Sequence, residues 1–85
     1  MKSYSEIVAF ILEEITKCTL GEIKPSPEDA DRGLIDDLGL DSLDFASVML
    51  ATEEWLRVSV PEGEVEWAKI RTARELANLF LALQR

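Results

Sequence analysis

Apolar residues recur at the spacing of amphipathic helices in three separate stretches of the chain. The first stretch follows Ser3, which has Glu6 three residues later in the spacing of a capping box, and predicts a helix over about residues 4–17. The last stretch predicts a helix over about residues 73–84, and Thr72 begins it with a capping box of the same kind. Strand-like alternation does not extend over a convincing length anywhere, so the pattern predicts an all-α domain.

The middle stretch predicts the second helix, which begins after Asp41 and ends near Leu56. With Asp41 as the N-cap, Ser42 takes the first helical position and Asp44 the third, where a carboxylate suits the free amide groups of the first turn. A further short helix over about residues 64–69 gives an up-and-down arrangement of three main helices with a short fourth. The apolar stripe of the second helix consists of Phe45, Val48, Met49, Thr52, Trp55 and Leu56, and we assign Phe45, Met49, Thr52 and Leu56 to the core.

A long loop separates the first two helices, because the helical period is lost over about residues 20–41. Ser26 followed by Pro27 predicts one short helical turn inside this loop. Loops of this length in a compact domain are usually functional or held down by side chains. We expect four apolar side chains to hold the loop against the helices: Leu34, Ile35, Leu38 and Leu40.

Composition limits the chain to one small helical domain and locates its charge. The 85 residues, 47% hydrophobic and 31% charged, suit a single core, so residues 1–85 form one domain. Between Asp36 and Glu66, nine acidic residues accompany Arg57 alone, so this segment carries the entire net charge of −8. Such a surface favours basic protein partners and repels nucleic acid, although a charged face kept for solubility is the alternative.

The single cysteine and the apolar run lengths indicate the compartment. Cys18 excludes an internal disulfide and continues the apolar stripe of the first helix, so we expect a small buried side chain and a cytoplasmic protein. The N-terminal residues do not resemble a secretory signal, and no apolar segment approaches membrane-spanning length. We therefore expect no membrane partner and a monomeric chain.

The residue types present exclude most catalytic and metal chemistry. The chain contains no histidine, so a Ser-His-Asp triad is impossible, and its lysines lie outside the segment around Ser42. One cysteine without histidine excludes an ordinary zinc site, and residues 29–40 lack the glycine and glutamate of a calcium loop. Covalent modification of Ser42 and an ordinary serine at a helix start are the two interpretations that the residues leave open.

The segment Gly39-Leu40-Asp41-Ser42-Leu43 contains the signature Gly-x-Asp-Ser-Leu and resembles the phosphopantetheine attachment site of acyl carrier proteins. The resemblance extends along the whole chain, from the amphipathic first helix to the last, and implies a four-helix acyl carrier bundle. It also implies that Ser42 receives 4′-phosphopantetheine from coenzyme A through a phosphopantetheinyl transferase. The thiol of that arm would then carry acyl groups as thioesters, so the protein would be a carrier and not an enzyme.

The resemblance further implies a surface for partner recognition on the second helix. The partners would be the transferase and acyl-loading or acyl-processing enzymes with basic docking surfaces. The residues that match the recognition positions of the family are Asp41, Leu43, Asp44, Ala46, Leu50, Glu53 and Glu54.

Several positions depart from the carriers of fatty-acid synthesis. Ser47 stands where those carriers usually have glutamate, Arg57 replaces a commonly acidic residue, and Trp55 and Trp67 are unusual. We therefore expect a specialised, freestanding carrier in fatty-acid, polyketide or other lipid or secondary-metabolite biosynthesis. The alternatives are an aminoacyl or peptidyl carrier and an unmodified acidic helical adaptor for a basic protein. Trp55 fits either the core or a contact with a partner, and the sequence leaves open whether cargo enters the helical core.

Overall fold

The computed structural model describes residues 1–84 and contains three α-helices. Helix α1 spans Tyr4–Cys18, α2 spans Ser42–Leu56 and α3 spans Ala73–Leu83. Helix α1 packs against both α2 and α3. No β-strand occurs within residues 1–84, which confirms the predicted all-α class. Over the same residues, no helix combines the length and the apolar character that crossing a bilayer requires.

A capping box begins each of the three α-helices. At α1, the Ser3 hydroxyl accepts a hydrogen bond from the Glu6 amide at 3.2 Å, and the Glu6 carboxylate accepts one from the Ser3 amide at 2.9 Å. These bonds to Ser3 lower the pKa of Glu6. Equivalent boxes begin α2 and α3. Because a box satisfies amide groups that have no partner inside the helix, these short signals fix the helix starts, as the sequence predicted.

The core lies between the three helices and is built mainly on the apolar face of α1. Ile7, Ile11 and Ile15 of this helix are fully buried, and Phe80 of α3 is fully buried against them. Helix α2 contributes Val48 and Thr52, and the buried Thr52 hydroxyl donates to the Val48 carbonyl at 2.7 Å. This bond satisfies the polar group, so Thr52 occupies a core position without an unpaired hydroxyl.

The long loop contains a 3-10 turn over Pro27–Asp29 with Ser26 as its N-cap, as predicted. Leu34 and Leu40 are 1% and 2% exposed and hold the loop on the core, and Leu38 is half-buried. Ile35 is 50% exposed, so its predicted place among the buried side chains is wrong. The backbone folds back on itself here, with the Leu40 amide bonded to the Leu34 carbonyl at 3.0 Å, and the neighbouring side chains of Leu34 and Ile35 therefore differ in burial.

The connection from α2 to α3 differs from the predicted short helix. Two 3-10 turns, Glu62–Glu64 and Trp67–Lys69, occupy this region in place of one helix over 64–69. Val65 between them is extended, with φ −96° and ψ 133°, and an extended residue interrupts a continuous helix. Helix α2 itself ends where Arg57 adopts a left-handed conformation with φ 58°.

Trp55 is half-buried and packs against α1. Its ring stacks on Phe10 with centroids 4.1 Å apart and planes inclined by 2°, and the Lys2 ammonium lies 5.2 Å from the ring centroid. The Lys2 amide also donates to the Gln84 side chain at 3.1 Å, which ties the N-terminal segment to the end of α3. These contacts give Trp55 a structural role between the helices.

Leu34 and Ile35 form a matched pair for testing how the loop is held. We expect Leu34→Ala to lower the free energy of unfolding by about 2–5 kcal/mol, because it removes a buried side chain and leaves a cavity. Ile35→Ala should cost about 1 kcal/mol or less, because that side chain is half-exposed. Urea unfolding followed by circular dichroism measures both values, and equal losses would contradict this account of the loop.

Asp41 and Ser42 form a second pair, at the start of α2. We expect Asp41→Ala to lower the free energy of unfolding by about 1 kcal/mol, because it removes the side chain that caps the helix. Ser42→Ala should leave the helical circular dichroism signal and the unfolding midpoint nearly unchanged, because Asp41 supplies the cap. A large loss of helicity in Ser42→Ala would show that the serine is needed for the helix.

Candidate functional site

Ser42 is exposed at the first position of α2, immediately after the N-cap. The Asp41 carboxylate accepts the Asp44 amide at 2.8 Å, and the Asp44 carboxylate accepts the Asp41 amide at 3.4 Å. The cap is therefore complete without the serine hydroxyl, which is open to a modifying enzyme. The free amide groups and the positive end of the helix dipole lie at the same end of α2, and both favour an attached phosphate.

Buried neighbours on either side hold Ser42 in place. Leu40, two residues before it, is buried and bonded to Leu34, and Val48 is buried further along α2. Gly39 has φ +89°, a conformation that glycine adopts without strain, and this turn leads the chain into the core at Leu40. Ser42 is thus an exposed residue on a fixed backbone.

The loop acids near Ser42 have different roles. The Asp37 carboxylate accepts the Gly33 amide at 2.6 Å and closes the turn that ends in the signature. Asp36 is exposed and borders a cleft described below. The acidic surface around Ser42 is therefore partly occupied by bonds that shape the loop, and partly open to solvent.

Four of the expected recognition residues form one exposed stripe on α2. Leu43 and Leu50 are 76% and 59% exposed, and Ala46 and Glu54 are also exposed. Their spacing along the helix places them on one side, beginning next to Ser42. We call Leu43, Ala46, Leu50 and Glu54 the outer stripe. Large apolar side chains left in solvent are typical of a contact surface for proteins.

Glu53 differs from the other residues of the expected recognition set. Its side chain is half-buried, and one carboxylate oxygen accepts the Val60 amide at 2.8 Å. Its backbone carbonyl accepts the Arg57 amide and, at 3.1 Å, the Val58 amide. Glu53 thus holds the chain that leaves α2, a contact that the sequence did not indicate because it joins the helix to a loop residue.

Two clefts open between α2 and residues 61–70, which we call the cleft wall. Phe45 and Trp67 border both clefts, and their rings meet edge to face with centroids 6.5 Å apart and planes inclined by 84°. The first cleft has a volume of about 350 Å³ and is also bordered by Ile35, Asp36, Ile70 and Arg71. The second has a volume of about 510 Å³ and is also bordered by Ala46, Met49, Leu50 and Glu53.

Sequence reasoning did not find these clefts. It assigned Phe45 and Met49 to the core and gave no site role to Ile35, Trp67 or Arg71. Phe45 and Met49 pack against the core while remaining half-buried, which lets them border the clefts as well. The unusual Trp67 was the one local signal, because an aromatic residue in a polar connecting segment needs an apolar neighbour.

Cys18 offers no competing reactive thiol. Burial is the main cause that raises the pKa of Cys18, and the nearby Asp44 and Glu14 carboxylates raise it further. A thiol with a raised pKa is a poor nucleophile near neutral pH, in agreement with the structural role expected from sequence. Among residues 1–84, no three histidine, cysteine or acidic side chains are grouped so that they could hold a metal ion.

Comparison with known proteins gives a family and several relatives. The family model described as phosphopantetheine attachment site matches residues 6–80. The acyl carrier protein of Bdellovibrio bacteriovorus is 34% identical over 56 residues, which cover 66% of this chain and 69% of the relative. That of Helicobacter hepaticus is 29% identical over 89% of this chain and 90% of its own length. That of Campylobacter fetus is 26% identical along the full length of both chains.

The family match includes the signature at Gly39–Leu43, the exposed Ser42 and all three α-helices apart from the outermost residues of α1 and α3. Proteins of this family carry a covalent phosphopantetheine group and act as carriers, not as enzymes. The chain belongs to the family of acyl carrier proteins with a phosphopantetheine attachment site.

Proposed function

We propose that this protein carries acyl groups on a 4′-phosphopantetheine arm attached to the Ser42 hydroxyl. The observation that carries the proposal is the exposed serine at the start of α2, fixed by buried neighbours and free of any capping role. The attached group supplies a terminal thiol that holds the acyl group as a thioester. The chain itself supplies the attachment point, its orientation and the surface that partners recognise.

The surroundings of Ser42 fit such a group. The start of α2 provides amide groups and the positive end of the helix dipole for the phosphodiester. Asp41 and Asp44 oppose that negative charge, but they are engaged in the capping box and support the fold. Ser42 itself is exposed, so its hydroxyl is accessible to a modifying enzyme.

Partner recognition follows from the shape and charge of α2. The outer stripe offers Leu43 and Leu50 for apolar contact beside Ser42, and Glu54 adds a negative charge that attracts a basic docking surface. A phosphopantetheinyl transferase and the enzymes that load or process the acyl group are the partners expected for this surface. Asp41 and Asp44 belong to the same surface through their positions next to Ser42.

We place the cargo against the clefts and outside the core. Ile7, Ile11 and Phe80 fill the space between the helices and are fully buried. Phe45, in the next turn of α2 after Ser42, and Trp67 provide apolar walls for an acyl chain. Trp67, Ser47 and Arg57 depart from the pattern of general fatty-acid carriers, and these departures support a dedicated biosynthetic pathway.

The attachment site is tested by intact mass. After incubation with coenzyme A and a broad-specificity phosphopantetheinyl transferase, we expect the protein to gain the mass of one phosphopantetheinyl group. Ser42→Ala should gain none, because the acceptor hydroxyl is absent. Ser47→Ala is the matched control, since it removes an exposed serine from the same helix, and it should gain the same mass as the unchanged protein.

Two outcomes would contradict the assignment. A mass gain in Ser42→Ala would move the attachment to another residue. Failure of the unchanged protein to gain mass, while a known carrier in the same reaction does so, would exclude the carrier function.

A further inference from the structure

The cleft wall is held at each end by a carboxylate that accepts a backbone amide. At its start, the Glu53 carboxylate accepts the Val60 amide at 2.8 Å. At its end, the Glu75 carboxylate accepts the Arg71 amide at 2.8 Å. The wall therefore spans from a side chain of α2 to a side chain of α3. Charge-assisted bonds of this kind are stronger than neutral hydrogen bonds.

The end of the wall near α3 has additional support. The Arg71 carbonyl accepts the Leu34 amide at 2.7 Å, and the Thr72 amide also donates to Glu75, at 3.1 Å. At the other end, the buried Val60 side chain and the bond from its amide to Glu53 hold the chain before Pro61. The bond from the Val60 amide to Glu53 therefore contributes more to fixing the start of the wall than the bond from the Arg71 amide to Glu75 contributes to fixing its end.

Between its two ends, the wall has bonds of short range. Backbone amides donate to near neighbours: Glu64 to Pro61 at 2.8 Å, Trp67 to Val65 at 3.1 Å and Lys69 to Glu66 at 2.9 Å. Val65, Trp67 and Ile70 are half-buried where they pack on the core. Short-range bonds preserve the shape of a segment but do not fix its distance from α2. Besides the contact of Trp67 with Phe45 and the packing of the wall on the core, that distance depends on where Val60 is held.

Glu53 is suited to hold Val60 near α2, because Glu53 belongs to that helix and borders the cleft of about 510 Å³. Phe45 on α2 and Trp67 on the wall both border this cleft, and their rings are in edge-to-face contact. The bond from Glu53 to Val60 thus connects the two sides of the cleft directly.

We propose that Glu53 is a positioning residue whose bond to Val60 sets the width of the cleft between α2 and Trp67. This assignment differs from the recognition role expected from sequence, in which the charge of Glu53 would matter and its reach would not. Its effect on cargo rests on the proposed function, because only a carrier has an acyl chain to shelter in the cleft. The effect of Glu53 on the width of the cleft does not depend on the proposed function.

Two substitutions at Glu53 separate the effect of its side-chain length from the effect of its negative charge. Glu53→Gln keeps the length of the side chain and an oxygen that accepts the Val60 amide, but it removes the charge. Glu53→Asp keeps the charge but is one methylene shorter, so it cannot make the same bond with the backbone in place. The matched controls are Glu54→Gln and Glu54→Asp, which make the same changes at an exposed neighbour in the same helix.

The first measurements use the unmodified protein. We expect hydrogen exchange of the Val60 amide, followed by NMR, to be about tenfold faster or more in Glu53→Asp, because a hydrogen bond to a charged group is lost. Glu53→Gln and both Glu54 variants should stay within about threefold of the unchanged protein. With Trp55→Phe in every variant, Trp67 is the only tryptophan, and acrylamide should quench its fluorescence more strongly in Glu53→Asp alone.

A further measurement uses protein that carries an octanoyl-phosphopantetheine arm, installed from octanoyl-coenzyme A by the transferase. We expect hydroxylamine to cleave the thioester faster in Glu53→Asp than in Glu53→Gln, because a loosened wall shelters the chain less. If Glu53 contributed only to stability, Glu53→Asp would lower the unfolding midpoint, but the two variants would show the same rate of thioester cleavage under native conditions.

The proposal is overturned if Glu53→Asp matches Glu54→Asp in Val60 exchange and Trp67 quenching. It is also overturned if Glu53→Gln changes both as much as Glu53→Asp, because charge would then be decisive. Failure to accept the arm would instead contradict the proposed function, and the measurements on unmodified protein would still decide the role of Glu53. Equal thioester cleavage in the two variants, with the expected exchange and quenching, would overturn the effect on cargo.

Discussion

Burial of the apolar face of α1 is the constraint on which the rest of the structure depends. Ile7, Ile11 and Ile15 are fully buried because α2 and α3 both pack on this helix. Each of the two helices therefore has one face committed to α1. For α2, that face includes Val48 and Thr52, and the opposite side remains open. An open side on the helix that begins at Ser42 suits the proposed carrier role, in which partners must reach the attachment point.

The packing of α2 and α3 on α1 also explains why loop segments border the candidate site. Because α2 and α3 meet mainly through α1, the space between them is closed by the long loop and by the cleft wall. The Leu34 amide bonds to the Arg71 carbonyl at 2.7 Å, and this bond joins the two segments. Leu40 then fixes the loop immediately before Ser42. The serine thus derives its position from the core, while its hydroxyl lies outside it.

The parts of this structure that the sequence predicted are those fixed by neighbours along the chain. A capping box spans four residues, so Ser3 and Glu6 predicted the start of α1 without any information about packing. Ser42 was predicted as the attachment residue because the signature around it is contiguous. The exposed position of Ile35 and the bond from Glu53 to Val60 depend on contacts between separate segments, and helical periodicity carries no information about them. The cleft wall was predicted as a helix because its residues lacked a local signal for the extended Val65.

The acidic segment shows how fold and recognition share the same side chains. Asp37 accepts the Gly33 amide, Asp41 caps α2 and Glu53 accepts the Val60 amide. These three carboxylates therefore shape the backbone and also belong to the acidic segment. Salt screens the long-range field of such charges much more than it weakens a bond of about 3 Å. The proposed attraction of basic partners would therefore weaken as ionic strength rises, whereas the backbone geometry at the start of α2 would not change.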